Sequence, residues 1–169
     1  MMTWRSEAFA RSLCTLLPPM INFTAPDLTR HPPRSPRVRL GGFVHLPRLL
    51  DKTRAVSAGR QGEYQFPCPL DQRFFAFTGI AADTFLSAVR SGLTDAGMLA
   101  WVRDQLQPAR TPAEIAAWSA ALEASGADNV RRHTTVAADI RKFAPARDDI
   151  HTAFDRLDVD DYVSFDGKG

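Results

Sequence analysis

Cysteine and tyrosine are scarce in this chain, with two of each among its 169 residues. Two thiols, Cys14 and Cys68, are too few for a disulfide framework, so we expect reduced cysteines. No apolar run approaches the roughly 20 residues that span a bilayer. The apolar start of the chain is broken by Pro18 and Pro19, and no small-residue cleavage site of a signal peptide follows. We therefore expect a cytoplasmic protein without a membrane segment.

Motifs that accompany particular cofactors are also missing. The sequence contains no glycine-rich phosphate loop, no dinucleotide fingerprint and no zinc-ligand spacing. The stretch Leu157–Gly167 is rich in aspartate, but Tyr162 falls at the third ligand position of a calcium loop and no glycine stands at the sixth. We expect no cofactor. A net charge of +2 gives no general reason to expect nucleic acid as a partner.

The composition that remains is that of an ordinary globular domain, with 44% hydrophobic and 24% charged residues. A length of 169 residues suits one domain and a tail. We assign residues 1–24 to a leader and residues 25–169 to a single helical domain. The leader is either a short amphipathic helix or an extension from an early start codon, with Met20 as the natural start. We favour the extension.

Apolar residues recur at helical spacing through most of the chain, which predicts an all-α, compact bundle of six or seven short helices. Thr111, Pro112 and Glu114 form the clearest helix start, because they combine a capping box with proline at the first helical position. Before the bundle, residues 25–42 predict an extended arm rich in proline and arginine. The predicted helices run from about Pro47 to Gly59, Cys68 to Gly79, Ala82 to Gly92, Thr94 to Pro108, Thr111 to Gly126, Asp128 to Phe143, and onward from Asp148.

Three stretches of the sequence, Asp27–Ala55, Gly62–Ile80 and Leu157–Lys168, resemble a bacterial family of small proteins known as domain-of-unknown-function family 5069. The resemblance implies one compact domain that begins near Asp27 and leaves residues 1–19 outside. It implies no reaction and assigns no catalytic residue.

Arginine dominates the segment from Arg30 to Arg60, where eight cations stand against one acid, Asp51. Guanidinium groups suit carboxylates and phosphates, so the segment predicts a site for an anionic small molecule or an acidic partner surface. The alternative is pairing within the chain, because seven aspartates follow residue 147 and charge runs are most often paired or solvated. The candidate ligand-binding residues are Arg34, Arg37, Arg39, Arg48 and Arg54.

Cys68 is the candidate catalytic residue. It precedes Pro69 at a predicted helix start, where free amides and the helix dipole favour a thiolate. His45 or His133 is the candidate base. In the alternative that we favour, Cys68 is a packed or capping cysteine, which is alkylated no faster than a free thiol and more slowly than Cys14. Asp71 counts against catalysis if its charge faces the sulfur.

A third candidate is a metal site formed by Asp148, His151 and Asp155, which share one face of a predicted helix. In the alternative that we favour, Asp148 caps the helix and the other two residues form a surface pair, so no metal is expected.

Two classes of function follow from these candidates. The first is a non-catalytic domain that binds an anion through the arginine-rich arm, and the absence of a recognisable acid–base constellation favours it. The second is a small enzyme with Cys68 as nucleophile. The oligomeric state stays open.

Overall fold

Six α-helices form the framework of the computed structural model, which describes residues 25–126, 138, 141–142 and 145–166. Within these residues the only β feature is an isolated bridge between Leu40 and Phe43, so the all-α prediction is confirmed. None of the described helices is long and apolar enough to cross a membrane. The helices are α1 (Leu46–Ser57), α2 (Pro69–Thr78), α3 (Ala82–Arg90), α4 (Asp95–Gln105), α5 (Pro112–Glu123) and α6 (Ala153–Ser164).

Helix α1 lies at the centre of the bundle, and nine of its twelve residues are buried. Its apolar positions face the core, as the helical spacing predicts. Three charged residues, Arg48, Asp51 and Lys52, are buried with them. A buried charge is stable only when it is paired and hydrogen-bonded, so this helix requires partner charges from other elements.

The core is rich in phenylalanine. Phe43, Phe74 and Phe85 are completely buried, and their rings meet edge to face with neighbouring rings. Phe77 stacks on Trp118 of α5 with ring centroids 4.6 Å apart. These contacts join α2 and α5 to the loop that precedes α1.

Two helix starts occur where the sequence predicts them. Cys68 is the N-cap of α2 and Pro69 its first residue. At α5 the Thr111 N–H donates to Glu114 Oε2 over 2.7 Å, while Thr111 Oγ1 accepts from the Glu114 N–H. The predicted capping box is therefore confirmed.

The predicted start of the last helix is wrong. Helix α6 begins at Ala153 rather than at Asp148, because Thr152 and Asp155 form a capping box of their own. The Thr152 N–H donates to Asp155 Oδ2 over 2.7 Å, and Thr152 Oγ1 accepts from the Asp155 N–H over 3.1 Å. A threonine followed by an acid three residues later satisfies two backbone donors, whereas a lone aspartate satisfies one.

The leader and most of the predicted helix at 128–143 lie outside the described residues.

The arm is packed against the bundle through local turns. Leu28 is buried, and its N–H donates to the Arg60 carbonyl over 2.9 Å. Gly41 turns the chain with a φ of +61°, and a Cβ at this position would lie 2.3 Å from Leu99. A side chain at this position would be strained by the positive φ and would require Leu99 to move. Glycine therefore suits the turn that leads from the arm to α1.

Candidate functional site

A buried lysine of α1 connects the elements of the candidate site. Lys52 is 3% exposed, and its Nζ lies 2.8 and 2.7 Å from the two carboxylate oxygens of Asp71. The same ammonium donates to the Gln65 carbonyl over 3.1 Å and lies 3.2 Å from Cys68 Sγ. An ammonium has three hydrogens, so these partners satisfy it completely.

Asp71, on the first turn of α2, is fully buried and accepts hydrogen bonds on both oxygens. Oδ1 accepts from His45 Nε2 over 2.8 Å, and Oδ2 accepts from the Cys68 backbone N–H over 2.8 Å. Burial alone would raise the pKa of Asp71, but the His45 hydrogen bond and the Lys52 charge outweigh it and lower the pKa to about 2. Asp71 is therefore ionised and forms an ion pair with Lys52.

His45 closes the buried side of this network. It is the N-cap of α1 and is completely buried. Its φ of +66° is one that residues other than glycine rarely adopt. Burial, against the opposing effect of Asp71, lowers the pKa of His45, so the ring is neutral at neutral pH. Because Asp71 only accepts, Nε2 carries the hydrogen. His45 Nδ1 is then a buried acceptor with no partner among the described residues.

Cys68 lies on the outer side of the network. Its thiol is free and half-buried, at the N-terminus of the ten-residue helix α2. The Lys52 ammonium and the helix dipole both stabilise negative charge on Sγ. The charge of Asp71, which counted against catalysis, is compensated by Lys52 and by the His45 hydrogen bond. The Cys68 thiol and the Lys52 ammonium are thus in direct contact at the start of α2.

The histidine predicted as base has a different position. His45 hydrogen-bonds to Asp71, so its link to Cys68 runs through the carboxylate and Lys52. His133 lies outside the described residues. The group that touches the sulfur is a lysine, which the sequence offered only as one of eight cations. Lys52 follows Arg48 by four residues on one helix face, and this spacing is the signal that could have drawn attention to it.

A second buried pair adjoins the first along α1. Arg48 Nη1 and Nη2 donate to Asp161 of α6 over 2.5 and 3.2 Å, and the Tyr64 hydroxyl donates to Asp161 over 2.7 Å. Burial and the neighbouring carboxylate raise the pKa of Tyr64, so its hydroxyl stays protonated. The pair fixes the segment that leads from Tyr64 to Cys68 against α1.

The other predicted ligand-binding arginines also meet carboxylates of the chain. Arg34 forms a two-pronged pair with Asp51 at 2.8 Å and a single contact with Asp95 at 2.6 Å. Arg54 meets the other oxygen of Asp95 at 2.6 Å. Burial alone would raise the pKa of Asp95, but the two guanidinium groups lower it. These contacts join the arm, α1 and the start of α4.

Arg37 and Arg39 contact the end of α5 and the start of α6. Arg37 pairs with Glu123 at 3.3 Å, with Asp158 at 3.3 Å and with Asp155. Arg39 pairs with Glu123 at 2.7 Å. All five predicted arginines are thus in ion pairs within the chain, and Arg37 and Arg48 meet aspartates of the C-terminal region as the pairing alternative predicts.

The three residues of the candidate metal site do not share a helix face. Asp155 is the third residue of α6 and contacts Arg37, while Asp148 and His151 precede the helix. Across the described residues, no group of three or more histidine, cysteine, aspartate or glutamate side chains could hold a metal ion. The cap predicted for Asp148 belongs instead to Thr152.

Comparison with known proteins identifies a family and no activity. No curated protein matches the chain. A family model described as a domain of unknown function, DUF5069, matches residues 30–163. The match includes the arm from Arg30 onward, the site around Cys68 and nearly all of α6. The chain therefore belongs to the DUF5069 family, as the resemblance of its sequence predicts.

Proposed function

We propose that this protein is a small cytoplasmic enzyme in which Cys68 is the nucleophile. The observation that carries the proposal is the 3.2 Å contact between Lys52 Nζ and a half-buried Sγ at a helix N-terminus. Lys52 stabilises the developing negative charge on sulfur, and Asp71 and His45 hold Lys52 in position. Burying charged groups reduces stability, and buried charges beside a reactive side chain are common at functional sites.

The chemistry that suits this arrangement is covalent catalysis at an electrophilic carbonyl carbon. The Cys68 thiol releases its proton to solvent, and Sγ adds its electron pair to the carbonyl carbon. The bond from that carbon to the leaving group breaks, and the leaving group departs with the electron pair of that bond and takes up a proton from solvent. Water then hydrolyses the thioester and restores the thiol. A reducing compartment such as the cytoplasm keeps Cys68 in the form that this cycle needs.

A chromogenic ester tests the proposal. Mixing 4-nitrophenyl acetate with a Cys14→Ser protein is expected to release a burst of about one nitrophenolate per chain. Peptide mass spectrometry should find the acetyl group on Cys68, and Cys68→Ser should abolish the burst. Acetylation elsewhere, or no burst, would contradict nucleophilic catalysis.

A paired variant separates the role of Lys52 from its contribution to the fold. Lys52→Met combined with Asp71→Asn removes both charges, so no unpaired charge stays buried. We expect about tenfold slower acetylation at an unchanged circular dichroism spectrum. Arg90→Met, which removes an exposed cation at the end of α3, is the matched control and should react like the parent protein.

Anion binding by the arm is the second candidate, and Arg37 and Arg39 suit it best. Their side chains are 37% and 42% exposed, against 3% for Arg48 and 11% for Arg54 of α1. Arg34 is also 36% exposed, but it is held by Asp51 and Asp95. An anion or an acidic partner surface could replace Glu123 as their common partner.

Thermal unfolding distinguishes this second candidate. Millimolar phosphate should raise the melting temperature relative to chloride of equal ionic strength, because a ligand that binds only the folded state stabilises it. An Arg37→Ala, Arg39→Ala variant should lose the response. If wild-type protein shows no phosphate-dependent rise, the two arginines serve only the ion pairs within the chain.

A further inference from the structure

A cleft of about 330 Å³ lies between the glycine turn of the arm, the end of α4 and the start of α5. Its volume is within the range of sites for small molecules, and none of its lining residues belongs to the Cys68 site. The walls are mainly apolar, with two arginines among them. The lining residues are Gly41, Arg103, Leu106, Ala109, Arg110, Pro112 and Ile115.

Arg110 is held in this cleft by stacking more than by hydrogen bonds. Its guanidinium lies 4.8 Å from the centroid of the Phe77 ring, which itself stacks on Trp118. The Nη2 contact with the Phe77 carbonyl is 3.5 Å long, and Nη1 lies 3.7 Å from Glu114 Oε1. The buried Nε–H has no acceptor in the described part of the chain. The guanidinium is therefore fixed in place while most of its donors stay poorly satisfied.

Arg103 contributes a second guanidinium on an exposed side chain. Its hydrogen bond, from Nη2 to the Gly41 carbonyl at 3.3 Å, ties it to the glycine turn. Within residues 25–126 and 145–166 it forms no ion pair, unlike the five arginines of the arm and α1. The carboxylate of Glu114 is engaged by the Thr111 N–H and hydroxyl at 2.7 and 2.9 Å. Glu114, which lies 3.7 Å from Arg110, thus already has partners in Thr111.

We propose that this cleft binds a small organic carboxylate with a compact apolar body. The carboxylate would lie between Arg103 and Arg110 and would accept hydrogen bonds from the Arg110 Nη groups, whose contacts within the chain are long. The apolar body would pack against Leu106, Pro112 and Ile115. Apolar walls with a few convergent polar groups are the usual form of a ligand site. The proposal is independent of catalysis at Cys68.

Three probes of matched shape or charge test the proposal by titration of ¹⁵N-labelled protein. Phenylacetate carries both the charge and the apolar body, phenylacetamide lacks the charge, and acetate lacks the body. We expect saturable shifts of the Gly41 and Ile115 amide resonances with phenylacetate at millimolar concentration, and at least about tenfold weaker binding of the other two. Equal responses to phenylacetate and phenylacetamide, or no saturable shift, would overturn the proposal.

Variants locate the site and separate it from the Cys68 site. Arg110→Gln and Arg103→Gln should each weaken phenylacetate binding by about tenfold or more, while the matched Arg90→Gln should leave it unchanged. The amide spectrum itself reports that each variant is folded. Cys68→Ser should bind phenylacetate like wild-type protein, so failure of the enzyme proposal leaves this one standing. Undiminished binding in both the Arg103 and Arg110 variants would refute it.

Discussion

At the scale of residues, the unusual feature of this molecule is a set of buried polar side chains centred on Asp71. Asp71 is surrounded by a lysine, a histidine and a backbone amide, and each donates to it. Such a set is stabilising only when complete, because removing one partner leaves a buried charge uncompensated. Because Asp71 has all of these partners, Lys52 can be buried with its ammonium 3.2 Å from the half-buried Cys68 thiol.

The pH dependence of stability reports on this network. The pKa of His45 lies below its usual value of 6.5. As the pH falls through the usual value of 6.5, His45 becomes protonated in the unfolded chain but stays neutral in the folded protein. The contribution of His45 to the free energy of unfolding is therefore largest above that pH and decreases below it. Asp71, with a pKa of about 2 against an ordinary 3.8, adds a further loss between those two values.

His45→Asn tests the histidine contribution, since asparagine tolerates a positive φ and caps helices well. We expect the variant to be less stable at neutral pH, because Asp71 loses a partner. Its stability should change less than that of wild-type protein between about pH 7 and about pH 5. Guanidinium unfolding at the two pH values gives the comparison, and parallel losses in both proteins would contradict a neutral buried His45.

At the scale of elements, the sequence predicts helices better than it predicts the contacts between them. Proline at the first position of α2 and the capping box of α5 are local signals, so both starts are correct. The start of α6 is wrong because two caps compete within five residues, and Thr152 has the better-placed acid. Pairings such as Lys52 with Asp71 depend on how α1 meets α2, which no local pattern specifies.

The corrected start of α6 has a direct test. Thr152→Ala removes a side chain that accepts from the Asp155 N–H, and we expect a loss of about 1 kcal/mol in the free energy of unfolding. Asp148→Ala, at the position that the sequence favoured as cap, should change it by less than about 0.5 kcal/mol. Urea unfolding of the two variants measures both values. The reverse order would restore Asp148 as the cap.

At the scale of the whole molecule, arginines of the arm and of α1 join elements that are distant in sequence. Arg34 connects the arm to α1 and α4, Arg37 connects it to α5 and α6, and Arg48 joins α1 to α6. The charge count of the sequence indicates that such pairing is available, but the choice of Asp51, Asp95 and Glu123 follows from the fold. Only in the folded chain do Lys52 and Cys68 meet.

The reactivity of Cys68 in the folded and the unfolded chain therefore tests the account most directly. The measurement is the rate constant of iodoacetamide alkylation of a Cys14→Ser protein near neutral pH, in native buffer and in guanidinium chloride. A thiol that was only half-buried would react more slowly when folded. Because Lys52 and the N-terminus of α2 stabilise negative charge on Sγ, we predict faster alkylation in the native protein. We also predict that the paired Lys52→Met, Asp71→Asn variant loses this advantage. Native alkylation that is slower than in the unfolded chain would contradict a nucleophilic Cys68.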